Sequence, residues 1–224
     1  MNRAQTTVSR HEALPLHITK LLRNTYLLLS MTLLFSAAMA GVAMIAGVGR
    51  IPVLLVLVGY FGLLFGVYAT RNSALGLLMV FALTGFMGFT LGPILSAYIA
   101  AFSNGAELIM MAMGGTGAIF LGLSGYVLVS RRDFSFLRGF LLVGVVVVFL
   151  ATLLNVFLLQ LPGLAMALAV MWIIVSSGII LWQTSDLVHG YETNYITATV
   201  TLYVQIFNLF LSLLQILGFT MGED

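Results

Sequence analysis

The chain has 224 residues, of which 61% are hydrophobic and 7% charged, with a net charge of +2 and no cysteine. Soluble domains carry about 25% charged residues, so this composition excludes one and specifies an integral membrane protein. The basic residues lie where topology signals fall and do not form a nucleic-acid footprint, and neither disulfides nor thiolate metal sites are available.

Residues 1–24 read as a polar cytoplasmic tail, a solvated topology signal with His11, His17 and the basic stretch HITKLLRN, helical where it meets the membrane surface. Beyond it, the gaps between charges are each long enough for one crossing of about 20 apolar residues. The 47-residue gap between Arg138 and Asp186 holds two, divided by the turn signal Leu161-Pro162-Gly163. Runs such as FLLVGVVVVFLATLL lack the alternation of a barrel strand. The expected fold is therefore an all-α membrane protein with seven transmembrane helices, at 26–47, 51–70, 74–101, 107–130, 138–160, 163–185 and 196–219. The bundle is expected over 25–220, followed by a short periplasmic tail at 221–224.

Ala38-Met39-Ala40 has the small-x-small form of a signal cleavage site, but the apolar run continues to Val48, which suits a retained anchor. Of the nine Lys and Arg, only Arg50 falls on the far side when the N-terminus is cytoplasmic. The positive-inside rule therefore places the N-terminus inside and, after seven spans, the C-terminus in the periplasm.

Glycine clusters in span three (Gly85, Gly88, Gly92) and span four (Gly114, Gly115, Gly117, Gly122, Gly125). Close helix packing is expected in both. Pro93 is expected to kink span three, as a static feature more than as a hinge. In span seven, Thr201, Gln205, Asn208, Ser212 and Gln215 recur at intervals of 4, 3, 4 and 3, which places them on one helical face. Polar groups in hydrocarbon must be satisfied, so this face should look into the bundle and helix seven should be central. Ser176 and Gln183 share a face of span six, and Asn155 of span five stands as a further member. Interhelical hydrogen bonding and a solute pathway both account for such a set.

Gly122-Leu123-Ser124-Gly125 has the form of an intramembrane serine nucleophile motif, but His11, His17 and His189 all lie in the tail or a loop, away from any base role within the bundle. No HExxH, P-loop or carboxylate pair within a span occurs. The expectation is a protein that is not an enzyme and uses no cofactor or metal.

The stretches LRNTYLLLSMTL, FALTGFMGFTLGPILSAYI and SDLVHGYETNYITATVTLYVQIFNLFLSLLQILG resemble the Bax inhibitor motif family of seven-span proteins, and within it the bacterial YccA-type branch. The resemblance implies a seventh helix enclosed by the others. In some members two aspartates form a pH-sensitive gate of a calcium leak; by register these positions are Gln183 and Gln205 here. Amides do not titrate and attract a divalent cation weakly, so the expectation is a permanent amide contact with no pH switch at this pair. Asp186 reads as a solvated loop residue, with a charge at a cytoplasmic mouth beside His189 and Glu192 as the alternative.

The YccA-type branch further implies a bacterial inner-membrane protein that modulates the membrane-bound AAA protease FtsH, with the tail carrying Arg3, Arg10, His11 and Lys20 as the segment the protease grips. A calcium or proton leak is the alternative function.

Overall fold

A computed structural model describes residues 15–222. Among the described residues seven helices are long and apolar enough to cross a membrane, and there is no strand. They are α1 (Leu16–Ile45), α2 (Val53–Thr70), α3 (Ala74–Ala101), α4 (Gly105–Ser130), α5 (Arg138–Leu154), α6 (Pro162–His189) and α7 (Tyr195–Met221). A tight turn at Ser135–Leu137 leads into α5, and one wide turn, Asn155–Leu159, continues it.

Six of the seven helices begin within two residues of the positions expected from the charge gaps. The exception is α1, which starts at Leu16 and takes in the last part of the stretch expected as tail. The reason is amphipathic: Ile18 is buried, while Lys20 and Arg23 stay exposed on the same helix. Arg3, Arg10 and His11 lie outside the described residues.

Successive helices alternate in direction, so the bundle has two chemically different ends. One, the basic end, carries the start of α1 with Lys20 and Arg23, the α2–α3 turn with Arg71, the α4–α5 loop with Arg131, Arg132 and Arg138, and the α6–α7 loop. The other carries Arg50 and Glu107.

Helix α7 touches α1, α2, α3, α4 and α6, and Ile196 to Val200 are buried without a break. The main core surrounds it: Leu202, Tyr203, Ile206 and Leu209 pack with Leu28 and Leu29 of α1, Leu83 and Met87 of α3, Phe120 of α4 and Ile180 of α6. The enclosed seventh helix follows from its sequence, because its polar face cannot meet lipid chains.

The tightest seam joins α1 to α3. A methyl on Gly92 would stand 2.6 Å from the Ala43 methyl and 2.7 Å from the Ala40 carbonyl, and one on Gly88 would overlap the Ser36 carbonyl. Between helices in lipid, such approach supplies the dispersion contacts that burial supplies in water. Polar bonds reinforce the seam: Ser36 Oγ lies 2.6 Å from Tyr203 Oη, which donates to Thr84 O at 3.2 Å, and Thr199 Oγ1 donates to Thr25 O. These bonds tie α1 to α7 and α7 to α3.

The close packing expected of the span-four glycines is not found. Gly114, Gly117, Gly122 and Gly125 have open space where a Cβ would stand, and Gly115 meets only Leu213 Cδ1, at 3.3 Å. Gly115 thus faces α7, while the other four have no neighbouring helix of the same chain against them. Helix α3 runs through Pro93 without a break.

Candidate functional site

Helix α2 leans on α3 and buries only Val67, so it stands apart from α5 and α6. A single aromatic contact, Phe61 to Phe149 at 5.8 Å between ring centroids, bridges α2 and α5 along this side. At the basic end the gap becomes a polar cleft of about 180 Å³, walled by Tyr68, Arg71, Arg138, Trp182, Gln183, Asp186, Tyr191, Glu192, Thr197 and Thr201. It shares Arg138, Trp182, Asp186 and Tyr191 with an outer mouth of about 370 Å³.

Local chemistry sets the position of each wall. Gly190 ends α6 at φ 75°, a left-handed conformation that favours glycine, and its N–H and that of Tyr191 both return to the Asp186 carbonyl. The next turn is held by Asn194, whose side-chain oxygen accepts from Ile196 N and Thr197 N while its amide donates to Arg71 O and Asn72 Oδ1. This cap therefore ties the start of α7 to the end of α2. Glu192 is used up in the same structure, accepting from Thr193 N, Asn194 N and Thr197 Oγ1. Of the residues expected at a mouth, Glu192 thus lines the cleft as a structural brace. His189 sits outside the lining, with Nδ1 2.9 Å from Ser185 O and its ring stacked on Tyr191.

Asp186 is different from the solvated loop residue expected. It belongs to the last turn of α6 and is only 8% exposed, because the helix continues to His189 before Gly190 stops it. Its Oδ1 has no hydrogen-bond partner. Arg138 attracts it through space, while the Arg138 guanidinium itself lies over the Trp182 ring at 5.7 Å. The buried Trp182 N–H likewise has no hydrogen-bond partner.

On the outer loop, Asp133 Oδ1 accepts from Ser135 N and Oδ2 accepts from the Tyr191 hydroxyl. Those bonds, the Ser135 backbone N–H first, hold the Asp133 carboxyl below the usual carboxylate range, and the nearby charge of Asp133 pushes the Tyr191 hydroxyl up.

Gln183 and Gln205 are both buried, at 3% and 7% exposure. The direct amide bond expected between them is not formed. Gln183 Nε2 and Gln205 Oε1 each lack a partner, so a donor on α6 and an acceptor on α7 remain open. Ser176 Oγ, two turns below Gln183 on the same helix, is likewise without a partner.

The stripe of α7 is graded along the helix. Gln205 and Ser212 are buried, Thr201 and Asn208 half-buried, and Gln215 exposed. Gln215 stands six residues before the end of α7, about 9 Å along the axis, where a long amide reaches the membrane boundary. Asn155 does not join this set. It lies at the other end and clasps the α5–α6 turn, accepting from Leu161 N at 3.0 Å.

Ser124 has the buried hydroxyl of Thr184 as its partner, 3.3 Å away, and serves helix packing. Among the described residues no group of three His, Asp or Glu side chains is placed to hold a metal ion.

Sequence reasoning did not find Arg71, Arg138 and Trp182 as site residues. Arg71 and Arg138 read there only as topology charges, and nothing in the linear order brings residues 71, 138 and 182 together. The usable signal was Gly190 with His189 in the turn before it, a helix stop that extends α6 past Asp186.

Taken together, these features define a seven-helix membrane protein with an enclosed polar last helix and a polar cleft at its basic end. The chain belongs to the Bax inhibitor family: the family model described as "Inhibitor of apoptosis-promoting Bax1" matches residues 18–222. It is similar to the protein of Escherichia coli K12 named "Modulator of FtsH protease YccA", 49% identical over 200 residues that cover 89% of this chain and 90% of the relative. A second E. coli strain has a relative named "Inner membrane protein YccA" with the same 49% identity over 200 residues. An uncharacterized protein of Pseudomonas aeruginosa is 47% identical over 207 residues, 92% of each chain. The protein is thus a multi-pass membrane protein of the bacterial inner membrane.

Proposed function

We propose that this protein modulates an FtsH-type AAA protease in the quality control of membrane proteins, by occupying the protease and resisting extraction. The observation that carries this reading is the 49% identity, across nine-tenths of both chains, to a protein named as a modulator of that protease. The basic end faces the cytoplasm by the positive-inside rule, so the N-terminal tail lies on the side from which such a protease pulls.

The packing supplies a physical reason for resistance. A pull on the N-terminus is transmitted directly to α1, the helix most closely seated against α3 and bonded to α7 through Thr25 and Ser36. Extraction must break the best-packed seam first, whereas a pull on α5 would meet less. A slow substrate that occupies the protease restrains its action on others. Arg3, Arg10 and His11 of the tail, with Lys20 at the exposed start of α1, are the proposed docking residues. Deleting residues 2–14 should abolish co-purification with the protease and restore degradation of an unrelated membrane substrate. A tail-deleted protein that binds and restrains equally well would overturn the docking role.

A leak of calcium or protons is the second reading, favoured by the open polar atoms of Gln183 and Gln205 within the bundle. It ranks lower because both proposed gate positions carry neutral amides.

A further inference from the structure

The cleft at the basic end combines groups that the protease reading does not use. Arg71 and Arg138 are the two basic residues of its lining, while Asp186 brings a carboxyl with an oxygen that no protein group satisfies. Gln183 adds a buried N–H donor, also without a partner. A buried polar atom left open is unfavourable, so a ligand that satisfies these atoms together is favoured.

The sign of the charges narrows its chemistry. A simple anion is opposed by Asp186 and a simple cation by the two arginines. A zwitterion meets both, its anionic part against the arginines and the Gln183 N–H, its cationic part against Asp186. Guanidinium groups suit a phosphate through paired N–H bonds, and an open carboxylate oxygen suits a primary ammonium, which has three donors to offer.

The location narrows the source. The cleft lies at the helix ends, between Tyr68 and Trp182, where amphipathic aromatic rings mark the level of lipid headgroups. Below it α2 and α5 make little backbone contact and meet at the Phe61–Phe149 rings, and the exposed apolar side chains of both helices continue from the cleft into the hydrocarbon. Phe61 and Tyr68 are seven residues apart and share one face of α2, the face that runs up to the cleft.

From these features we propose that the cleft is a binding site for an aminoalkyl phospholipid of the phosphatidylethanolamine type, with phosphate held by Arg71 and Arg138, ammonium by Asp186, and acyl chains lying along the exposed apolar side chains of α2 and α5. A quaternary choline headgroup lacks the N–H donors that Asp186 requires, and a glycerol headgroup lacks the positive charge.

The test is native mass spectrometry of the full-length protein, stripped of lipid in detergent and then offered phosphatidylethanolamine, phosphatidylcholine or phosphatidylglycerol. The ethanolamine lipid is expected to remain bound at about tenfold lower concentration than either of the others. Asp186→Asn should erase the preference for ethanolamine over glycerol, and Arg138→Gln should weaken retention of the ethanolamine lipid. Free phosphoethanolamine at the same concentration should fail to displace it. Equal retention of all three lipids by the wild-type protein would overturn the assignment whatever the variants do. So would a preference for phosphatidylglycerol, an unchanged preference in Asp186→Asn, or displacement by free phosphoethanolamine, which would make the ligand a soluble zwitterion.

Discussion

Replacing Gly88 by alanine adds one methyl group at the place where α1 and α3 touch most closely. That methyl would overlap the Ser36 carbonyl and stand 2.7 Å from Ser36 Oγ. Backbone on both sides cannot swing aside as a side-chain tip would, so α1 must shift. Overpacking of this kind costs about 1–3 kcal/mol. The shift also strains the 2.6 Å contact of Ser36 Oγ with Tyr203 Oη, and an interhelical hydrogen bond in a membrane protein is worth about 0.6–1.7 kcal/mol. Against this, alanine has a better helix propensity than glycine by up to about 1 kcal/mol. Gly114→Ala has the same propensity gain but open space around the new methyl, so comparing the two cancels that gain. The expected difference is about 2–4 kcal/mol, with Gly88→Ala the less stable. Reversible unfolding in mixed detergent micelles, followed by tryptophan fluorescence, measures it. Equal stability of the two variants would refute the claim that the α1–α3 seam is tight where α4 is open.

Tyr203→Phe should cost about 1 kcal/mol in the same assay, because its hydroxyl joins Ser36 to the Thr84 carbonyl; in a Ser36→Ala background the cost should shrink. Asn194→Ala should cost about 1–2 kcal/mol, since it removes two cap bonds at α7 and the tether to Arg71 and Asn72; unchanged stability would remove the cap from the account. The Asp133 carboxyl titrates below its unfolded value of about 3.9. Its hold on the α4–α5 loop is therefore fully present above that value and lost as pH falls through the lowered folded value. Pepsin cleavage near Phe134 should rise steeply there in the wild-type protein and be fast already in Asp133→Asn. Calcium flux through the wild-type protein in liposomes should be weak and show no pH switch at Gln183 and Gln205, while the double change Gln183→Asp and Gln205→Asp should introduce one. A steep wild-type pH dependence that either Gln183→Leu or Gln205→Leu abolishes would contradict this.

The seven spans were legible because charges are excluded from hydrocarbon, so each gap between them marks a crossing. The same logic failed at α1, where Lys20 and Arg23 interrupt the apolar run while Ile18 keeps the helix seated on the bundle. The central place of α7 was legible from the spacing of its polar residues, and its cost in lipid required a protein environment on that side. The packing of glycines was not. Spans three and four are both glycine-rich, and only the neighbours of each helix decide that Gly88 and Gly92 meet α1 while Gly114 and Gly125 meet open space. Likewise Gln183 and Gln205 could be assigned to facing helices, but whether two amides bond depends on side-chain geometry that no spacing encodes. The cleft was least visible of all, since its walls come from α2, α5, α6, α7 and two of the connections between helices, each contributing one to three residues.

The most direct test of the central claim is the lifetime of an unrelated FtsH membrane substrate in cells that contain the full-length protein, the Gly88→Ala variant or neither. The account predicts that the full-length protein lengthens the lifetime and is recovered with the protease, while the loosened variant is extracted faster and protects less. A substrate lifetime that is the same in all three would contradict it.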